Sequence, residues 1–268
     1  MSANIGIIGC GKMGYALIKG ICSEEWEVDS LYACDLDPAR TELFAQEFGA
    51  VISSAEELVS QADIIIIGVK PGQVEGILEQ TAEHWEGSKL LVSIAAGITT
   101  AALEKAIGKP VAVVRVMPNT PCLIGEGAAA VAGGYHASLE QVQLVKAMLD
   151  QVGLAVVVDE TYMDAVTAVS GSGPAYAFLV VEAMTDAALS LGLSRDLAAT
   201  LVMQTLKGSL LMLQNTGLHP AVLKAQVTSP GGTTIAGLRE LEAAGLREAF
   251  FAAMDKACQR SRELGQQK

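Results

Sequence analysis

Along the first 160 residues, short apolar runs alternate with longer amphipathic stretches. The runs at 5–8, 31–34, 51–52, 64–67, 90–94, 111–116, 128–131 and 155–158 are rich in Ile, Val, Leu and Ala. They are too short for helices and predict strands. Residues 64–67 are four consecutive isoleucines, as expected of a strand covered on both faces. Helical spacing marks 12–22, 38–48, 55–60, a stretch opened by Pro71, 100–107 and 138–151. Strands alternating with helices predict an α/β fold, a doubly wound parallel sheet with helices on both faces.

After Asp159 the strand signal stops. Helices are predicted at 161–170, 174–191, 195–214, 220–226, 233–243 and 246–264. The expected domains are therefore 1–160, α/β, and 161–268, all-α. The boundary rests on this change of pattern, because no Pro-, Gly- or Ser-rich linker accompanies it. The stretch 197–213 is apolar nearly all round: Leu197, Leu201, Val202, Met203, Leu206, Leu210, Leu211, Met212 and Leu213. Such a helix is buried on more than one side. A helical domain of about 110 residues has little interior to hide it. A second copy of the chain is expected to cover it, giving an obligate homodimer through an all-α dimerisation domain.

Composition narrows the function. Of 268 residues, 51% are hydrophobic and 18% charged, enough for a sizeable core. The net charge of −12 argues against nucleic acid and against anionic membrane surfaces, which both need Lys and Arg. An anionic ligand must then be held by local devices such as helix ends. The uncharged run 165–181 approaches membrane-span length. It carries Ser170 to Pro174 at its centre and lies between Asp164 and Glu182, so a buried segment is expected there. Cys10, Cys22, Cys34, Cys122 and Cys258 are odd in number and form no C-x-x-C pair, and the three histidines are scattered. Reduced thiols, a cytoplasmic location and no metal site are expected. The first residues have no basic segment and no long apolar run, so a secretory leader is not expected.

The candidate chemistry lies in the loops. Gly9-Cys-Gly-Lys-Met-Gly14 follows a predicted strand and opens a predicted helix. In that setting G-x-G-x-x-G is a dinucleotide fingerprint of a Rossmann-type domain. Gly9 allows the tight turn, Gly11 lets the backbone approach a pyrophosphate, and Gly14 lets helix and strand pack closely. Lys12 and Met13 complete the loop. Asp35 ends the second strand, about 20 residues beyond Gly14, where a carboxylate accepts hydrogen bonds from the adenosine ribose of NAD. It would repel the 2′-phosphate of NADP, so on charge the cofactor expected is NADH. Arg40, a turn further on, either offsets that charge or is solvated surface. Three more loops follow strand ends: Val69-Lys70-Pro71, Ala95-Ala96-Gly97 and Met117-Pro-Asn119-Thr-Pro121. Lys70 either faces the crevice or is a solvated lysine, and Asn119 either caps a helix or binds the cofactor.

Two glycine-flanked stretches mark the second domain. Ser170-Gly-Ser-Gly-Pro174-Ala-Tyr176 is either a helix start with proline at its first position or a kink that permits close packing. Val227-Thr-Ser-Pro-Gly-Gly-Thr-Thr-Ile235 has the form of a helix start with Ser229 as N-cap and Pro230 at the first position. Gly231, Gly232, Thr233 and Thr234 follow, leaving backbone N–H groups uncovered, an end that attracts a carboxylate or phosphate. A well-capped surface helix with no ligand would read the same way.

Taken in order, these motifs resemble the pyrroline-5-carboxylate reductase family over essentially the whole chain. The Ser229–Thr234 motif with Ala-Gly-Leu behind it is the most specific part. The resemblance implies NAD(P)H-dependent reduction of 1-pyrroline-5-carboxylate to L-proline, the last step of proline biosynthesis. It implies a Rossmann domain with a helical dimerisation and substrate domain, an active site between them, and dimers that assemble into rings. It implies that Thr234 hydrogen-bonds the ring nitrogen while the backbone from Gly231 to Thr234 cradles the carboxylate. It also implies NADPH, with which Asp35 disagrees. A 3-hydroxyacid dehydrogenase of similar plan would carry a catalytic lysine and an asparagine at positions held here by Ala177 and Val181. The acid that carbonyl chemistry needs is therefore missing. A cofactor-sensing protein without turnover would need no second, substrate-shaped helix start.

Overall fold

The computed structural model describes residues 3–22, 26 and 28–266. Eight strands among them form one sheet in the order β3-β2-β1-β4-β5-β6-β7-β8. These are β1 (Ala3–Ile8), β2 (Val28–Cys34), β3 (Val51–Ile52), β4 (Ile64–Ile67), β5 (Leu90–Ser93), β6 (Ala112–Met117), β7 (Gly127–Gly133) and β8 (Gly153–Val157). The crossover helices are α1 (Lys12–Ile21), α2 (Pro38–Phe48), α3 (Ala55–Gln61), α4 (Pro71–Gln80), α5 (Thr100–Ile107) and α6 (Leu139–Asp150).

Alternation along the strands divides the core in two. Ile5, Ile7, Ile64, Ile66, Leu90, Val92 and Val114 face α1, α2 and α6, where Leu17, Ile18, Phe44, Val145 and Met148 pack on them. Ile8, Ile65, Ile67, Leu91 and Val113 face α3, α4 and α5, with Leu58, Val74, Leu78, Trp85 and Leu103 above them. The four isoleucines of β4 thus serve both layers, and all four are buried.

The parallel, doubly wound core expected from the alternation runs from β1 to β6. β7 then pairs antiparallel to β6, and β8 runs parallel to β7. The reason is connection length. Residues 118–126 hold only a 3₁₀ turn, Thr120–Ile124, too little chain for the crossover that a parallel neighbour needs. Since order reverses between β1 and β4, the carboxyl ends of those two strands flank the switch point, where such sheets bind ligands.

The helical half holds α7 (Met163–Val166), a π-turn (Thr167–Gly171), α8 (Gly173–Ser190), α9 (Arg195–Thr216), α10 (Pro220–Gln226), α11 (Thr233–Ala243) and α12 (Leu246–Gln266). By compactness the chain divides into Met1–Pro174 with Lys256–Lys268, and Ala175–Asp255. The change of pattern at 160 therefore lies inside the first unit. Met163 is fully buried against Ala130 and Ala132 of β7, which ties α7 to the sheet. The end of α12 joins the same unit, as Ser261 Oγ donates to Asp164 Oδ1 at 2.6 Å.

The second unit buries few side chains of its own. On α8 and α9 only Thr185, Ala198 and Val202 are buried. Phe178, Leu179, Leu201, Met203, Leu210 and Met212 stand exposed.

Candidate functional site

The loop after β1 is held by its glycines. Gly9 has φ +102°, and a side chain there would press on the backbone of Gly68 after β4. At Gly14 an added Cβ would lie 2.6 Å from the Gly9 carbonyl oxygen, so helix and strand touch only because no side chain intervenes. Gly11 is different. A Cβ there would have only the Arg40 guanidinium near it, at 3.6 Å. Gly11 is also the N-cap of α1 and offers no side chain to the first helical N–H groups. Those groups and the helix dipole remain available to an anion. The cradle fits a pyrophosphate. Lys12 is exposed, Met13 half-buried and Gly14 buried.

Two backbone N–H bonds, with a weak one from the Cys10 thiol to the Cys34 carbonyl beside them, fasten this loop to the end of β2. The Gly9 N–H donates to the Cys34 carbonyl at 2.8 Å, and the Cys10 N–H donates to Asp35 Oδ2 at 2.7 Å. Asp35 Oδ1 accepts from the Asp37 N–H at 2.9 Å, and Asp37 in turn caps α2 by accepting from the Ala39 N–H. Arg40 Nε lies 3.4 Å from Asp37 Oδ2, and its Nη1 lies 4.0 Å from Asp35 Oδ2. The sequence marked Asp35 but not this network. The Asp37-Pro38 pair, a strong cap followed by proline at the first helical position, was its visible signal. Burial, and then the Asp35 charge, push the Cys10 thiol up to about 12. The loop therefore carries no thiolate near neutral pH.

The remaining loops of this unit reach the same edge of the sheet. Lys70 is exposed at the N-cap of α4, with Pro71 at the first helical position and Val69 half-buried behind it. Ala96 is half-buried, and Gly97 has φ +79° with the Gly265 backbone N 3.1 Å from where its Cβ would be. Its close approach is thus to the end of α12.

Asn119 is buried, and both sides of its amide are engaged. Its Oδ1 accepts from the Ala128 N–H at 2.9 Å, and its Nδ2 donates to the Ser170 carbonyl at 3.1 Å. That carbonyl needs a partner because Pro174, four residues on, has no N–H to give. The Ser170–Tyr176 stretch accordingly holds both a kink and a helix start: the π-turn ends at Gly171 and α8 opens at Gly173, with Pro174 in its first turn. Asn119 caps no helix through its side chain.

In the second unit, 229–232 form a turn. The Gly232 N–H donates to the Ser229 carbonyl at 3.1 Å, and Gly231 has φ +67°, which its position after Pro230 in the turn requires. This corrects the expected cap. α11 begins at Thr233 with Gly232 as N-cap, and Ser229 and Pro230 belong to the turn before it. Proline followed by glycine favours that turn over an early helix start. Thr233 and Thr234 occupy the first two helical positions, whose N–H groups have no partner within the helix. Ser229, Gly231 and Thr233 are exposed, while Gly232 and Thr234 are half-buried. Gly9 to Gly14, Asp35, Val69 to Pro71, Ala96, Gly97 and Asn119 thus lie in one unit, and Ser229 to Thr234 in the other.

A glycine cradle at the switch point of a doubly wound sheet, with a carboxylate just beyond the neighbouring strand, marks a dinucleotide-binding protein. Comparison with known proteins narrows the class. A family model described as "Pyrroline-5-carboxylate reductase dimerisation" matches 160–264, and one described as "NADP oxidoreductase coenzyme F420-dependent" matches 4–97. The pyrroline-5-carboxylate reductase of Methanosarcina acetivorans is 42% identical, with 97% of each chain covered. The crystal structure of the Plasmodium falciparum pyrroline carboxylate reductase with NADP bound is 34% identical with a TM-score of 0.87, and the Coxiella burnetii enzyme is 33% identical with a TM-score of 0.90. Each covers 98% of both chains. The chain belongs to the pyrroline-5-carboxylate reductase family.

Proposed function

We propose that this protein reduces 1-pyrroline-5-carboxylate to L-proline with NADPH or NADH, the last step of proline biosynthesis. The observation that carries this is kinship over 97% of the chain with a reductase of that name. The glycine cradle is intact beside it.

Residues 1–160 serve the nucleotide and 161–268 serve dimerisation and substrate. The N–H groups opening α1 and the backbone of Gly9, Gly11, Lys12, Met13 and Gly14 hold the pyrophosphate. Asp35 takes the adenosine ribose. Val69, Lys70, Pro71, Ala96, Gly97 and the loop at Asn119 border the rest of the nucleotide. When bound, the reduced nicotinamide supplies a hydride. A cyclic imine is protonated readily near neutral pH, so the chain need not contribute a strong acid. Its task is to orient and to exclude water. The turn at Ser229, with the backbone from Gly231 to Thr234 and the N–H groups of Thr233 and Thr234 that open α11, holds the substrate carboxylate. The Thr234 hydroxyl bonds the ring nitrogen.

The exposed apolar faces of α8 and α9 serve a homodimer, and such dimers can assemble further into a ring. Among the described residues, no helix is long and apolar enough to cross a membrane. The free cysteines suit a cytoplasmic location. Adding 1-pyrroline-5-carboxylate to the protein with NADH, and separately with NADPH, should produce oxidation of the nucleotide and L-proline in equal amounts. No oxidation with either nucleotide would remove this function.

A further inference from the structure

The end of β2 is built to refuse a phosphate. A 2′-phosphoryl group on the adenosine ribose needs a free cation, a free helix start or free donors. Among the described residues at the end of β2, the Arg40 cation and the start of α2 are already engaged. Arg40 has two carboxylates to serve, Asp35 at 4.0 Å and Asp37 at 3.4 Å, so the three groups together keep a negative charge. The N-terminus of α2 is closed by the Asp37 side chain, which accepts from Ala39, and by Pro38, which has no N–H. Leu36, between the two acids, is 90% exposed and has no polar side-chain group to offer.

The same arrangement suits hydroxyl groups. Each Asp35 oxygen accepts one backbone N–H, Oδ2 from Cys10 and Oδ1 from Asp37. A carboxylate oxygen has two lone pairs, so each retains one acceptor position. Ribose hydroxyls bring donors to meet them, whereas an ionised phosphate brings only acceptors and charge. Asp35 is held in this pose by the glycine loop itself, so it cannot turn away without releasing Cys10.

We propose that Asp35 and Asp37, with Arg40 neutralised between them, make NADH the preferred nucleotide of this protein and disfavour NADPH. The proposal rests on the nucleotide-dependent reductase function above and goes beyond it by choosing between the two cofactors.

The test is binding, independent of turnover. Dissociation constants of NADH and NADPH for the intact protein are read from nicotinamide fluorescence, and 5′-ADP and 2′,5′-ADP are used as displacing probes. NADH should bind at least about tenfold more tightly than NADPH, the scale of one uncompensated charge contact near a surface. 5′-ADP should outcompete 2′,5′-ADP by a similar factor. The double variant Asp35→Asn, Asp37→Asn keeps an acceptor for the loop and a cap for α2 while freeing Arg40. It should bring the two nucleotides to parity or reverse them, with far-UV circular dichroism confirming that it folds. Equal or tighter NADPH binding by the unaltered protein would overturn the proposal. So would an NADH preference that the folded double variant leaves unchanged. NADH preference without turnover of 1-pyrroline-5-carboxylate would uphold the discrimination and remove the substrate assignment. Failure to bind any of the four probes would remove both.

Discussion

The two units handle their apolar side chains in opposite ways. In the sheet unit Ile65, Ile67, Leu91 and Val113 are fully buried by the chain itself. In the helical unit Phe178 is 67% exposed, Leu210 64% and Phe251 68%. Each face of the sheet meets its own layer of helices, so its alternation is closed locally. α9 presents apolar residues on several sides and has no local layer to receive them all. An apolar surface of that kind is an interface, not a solvent face. The central strands of the sheet are covered by this chain alone, whereas the apolar faces of α8 and α9 are left for the homodimer proposed above.

The harshest way to break this contrast is a charge on α9. If Leu210 faced water, Leu210→Glu would change stability by no more than about 0.5 kcal/mol, as surface substitutions do. If a second copy covers it, the change buries an unpaired carboxylate and should cost about 3 kcal/mol or more. Sedimentation at micromolar concentration should then show the dimer lost or strongly weakened. A Leu210→Glu protein that stays dimeric with an unchanged melting temperature would show that this face is not covered.

Thr234→Ala asks whether the chemistry depends on the helical unit while the nucleotide depends on the sheet. kcat/KM should fall by about ten- to a thousandfold, as for a group bonded to the reacting nitrogen. The NADH dissociation constant should stay within about twofold, because Thr234 lies outside the nucleotide loops. Unchanged turnover would remove Thr234 from the mechanism.

What was legible in the sequence follows the same division. Ile64–Ile67 and the G-x-G-x-x-G loop announced themselves because strand burial and tight turns depend on residues close in sequence. The reversal of β7 did not, although the short 118–126 connection held the clue. Ser229 looked like a cap because its neighbours suit one. The left-handed Gly231 instead closed a turn and moved the helix start to Thr233. The π-turn at Thr167–Gly171 was hidden because its partner, Asn119, is 51 residues away from Ser170. Asp35 was read as a ribose ligand from spacing. Its bond to the Cys10 N–H could come only from coordinates.

Asn119→Ala tests that long-range fastening within the sheet unit. It deletes the donor to the Ser170 carbonyl and the acceptor for the Ala128 N–H. Two part-buried backbone groups lose their partners, at up to about 1–3 kcal/mol each before any water enters. Part of that should be recovered by water, so a loss of about 2 kcal/mol in denaturant unfolding is expected. Nucleotide binding should weaken less than turnover if the π-turn matters to the substrate side. A loss below about 0.5 kcal/mol would mean that the kink holds without Asn119.

The smallest effect concerns Cys10, buried at the mouth of the glycine loop. Its thiol is raised from 9.0 to about 12, by burial first and then by the Asp35 charge. Only about one molecule in ten thousand would carry the thiolate at pH 8, and the thiolate is the nucleophile. Iodoacetamide at pH 8 should label exposed Cys22 and leave Cys10 untouched, as read by peptide mass spectrometry. The raised value also has a consequence for stability. Between pH 9 and 12 the folded chain keeps a proton that the unfolded chain gives up, so stability is full below pH 9 and falls as pH rises through this window. Cys10→Ala removes that linkage, and the fall in melting temperature from pH 9 to pH 11 should become shallower by a small, measurable amount. Labelling of Cys10 as fast as Cys22, or an identical alkaline slope in the variant, would mean that the loop opens more readily than its bonds to the end of β2 imply.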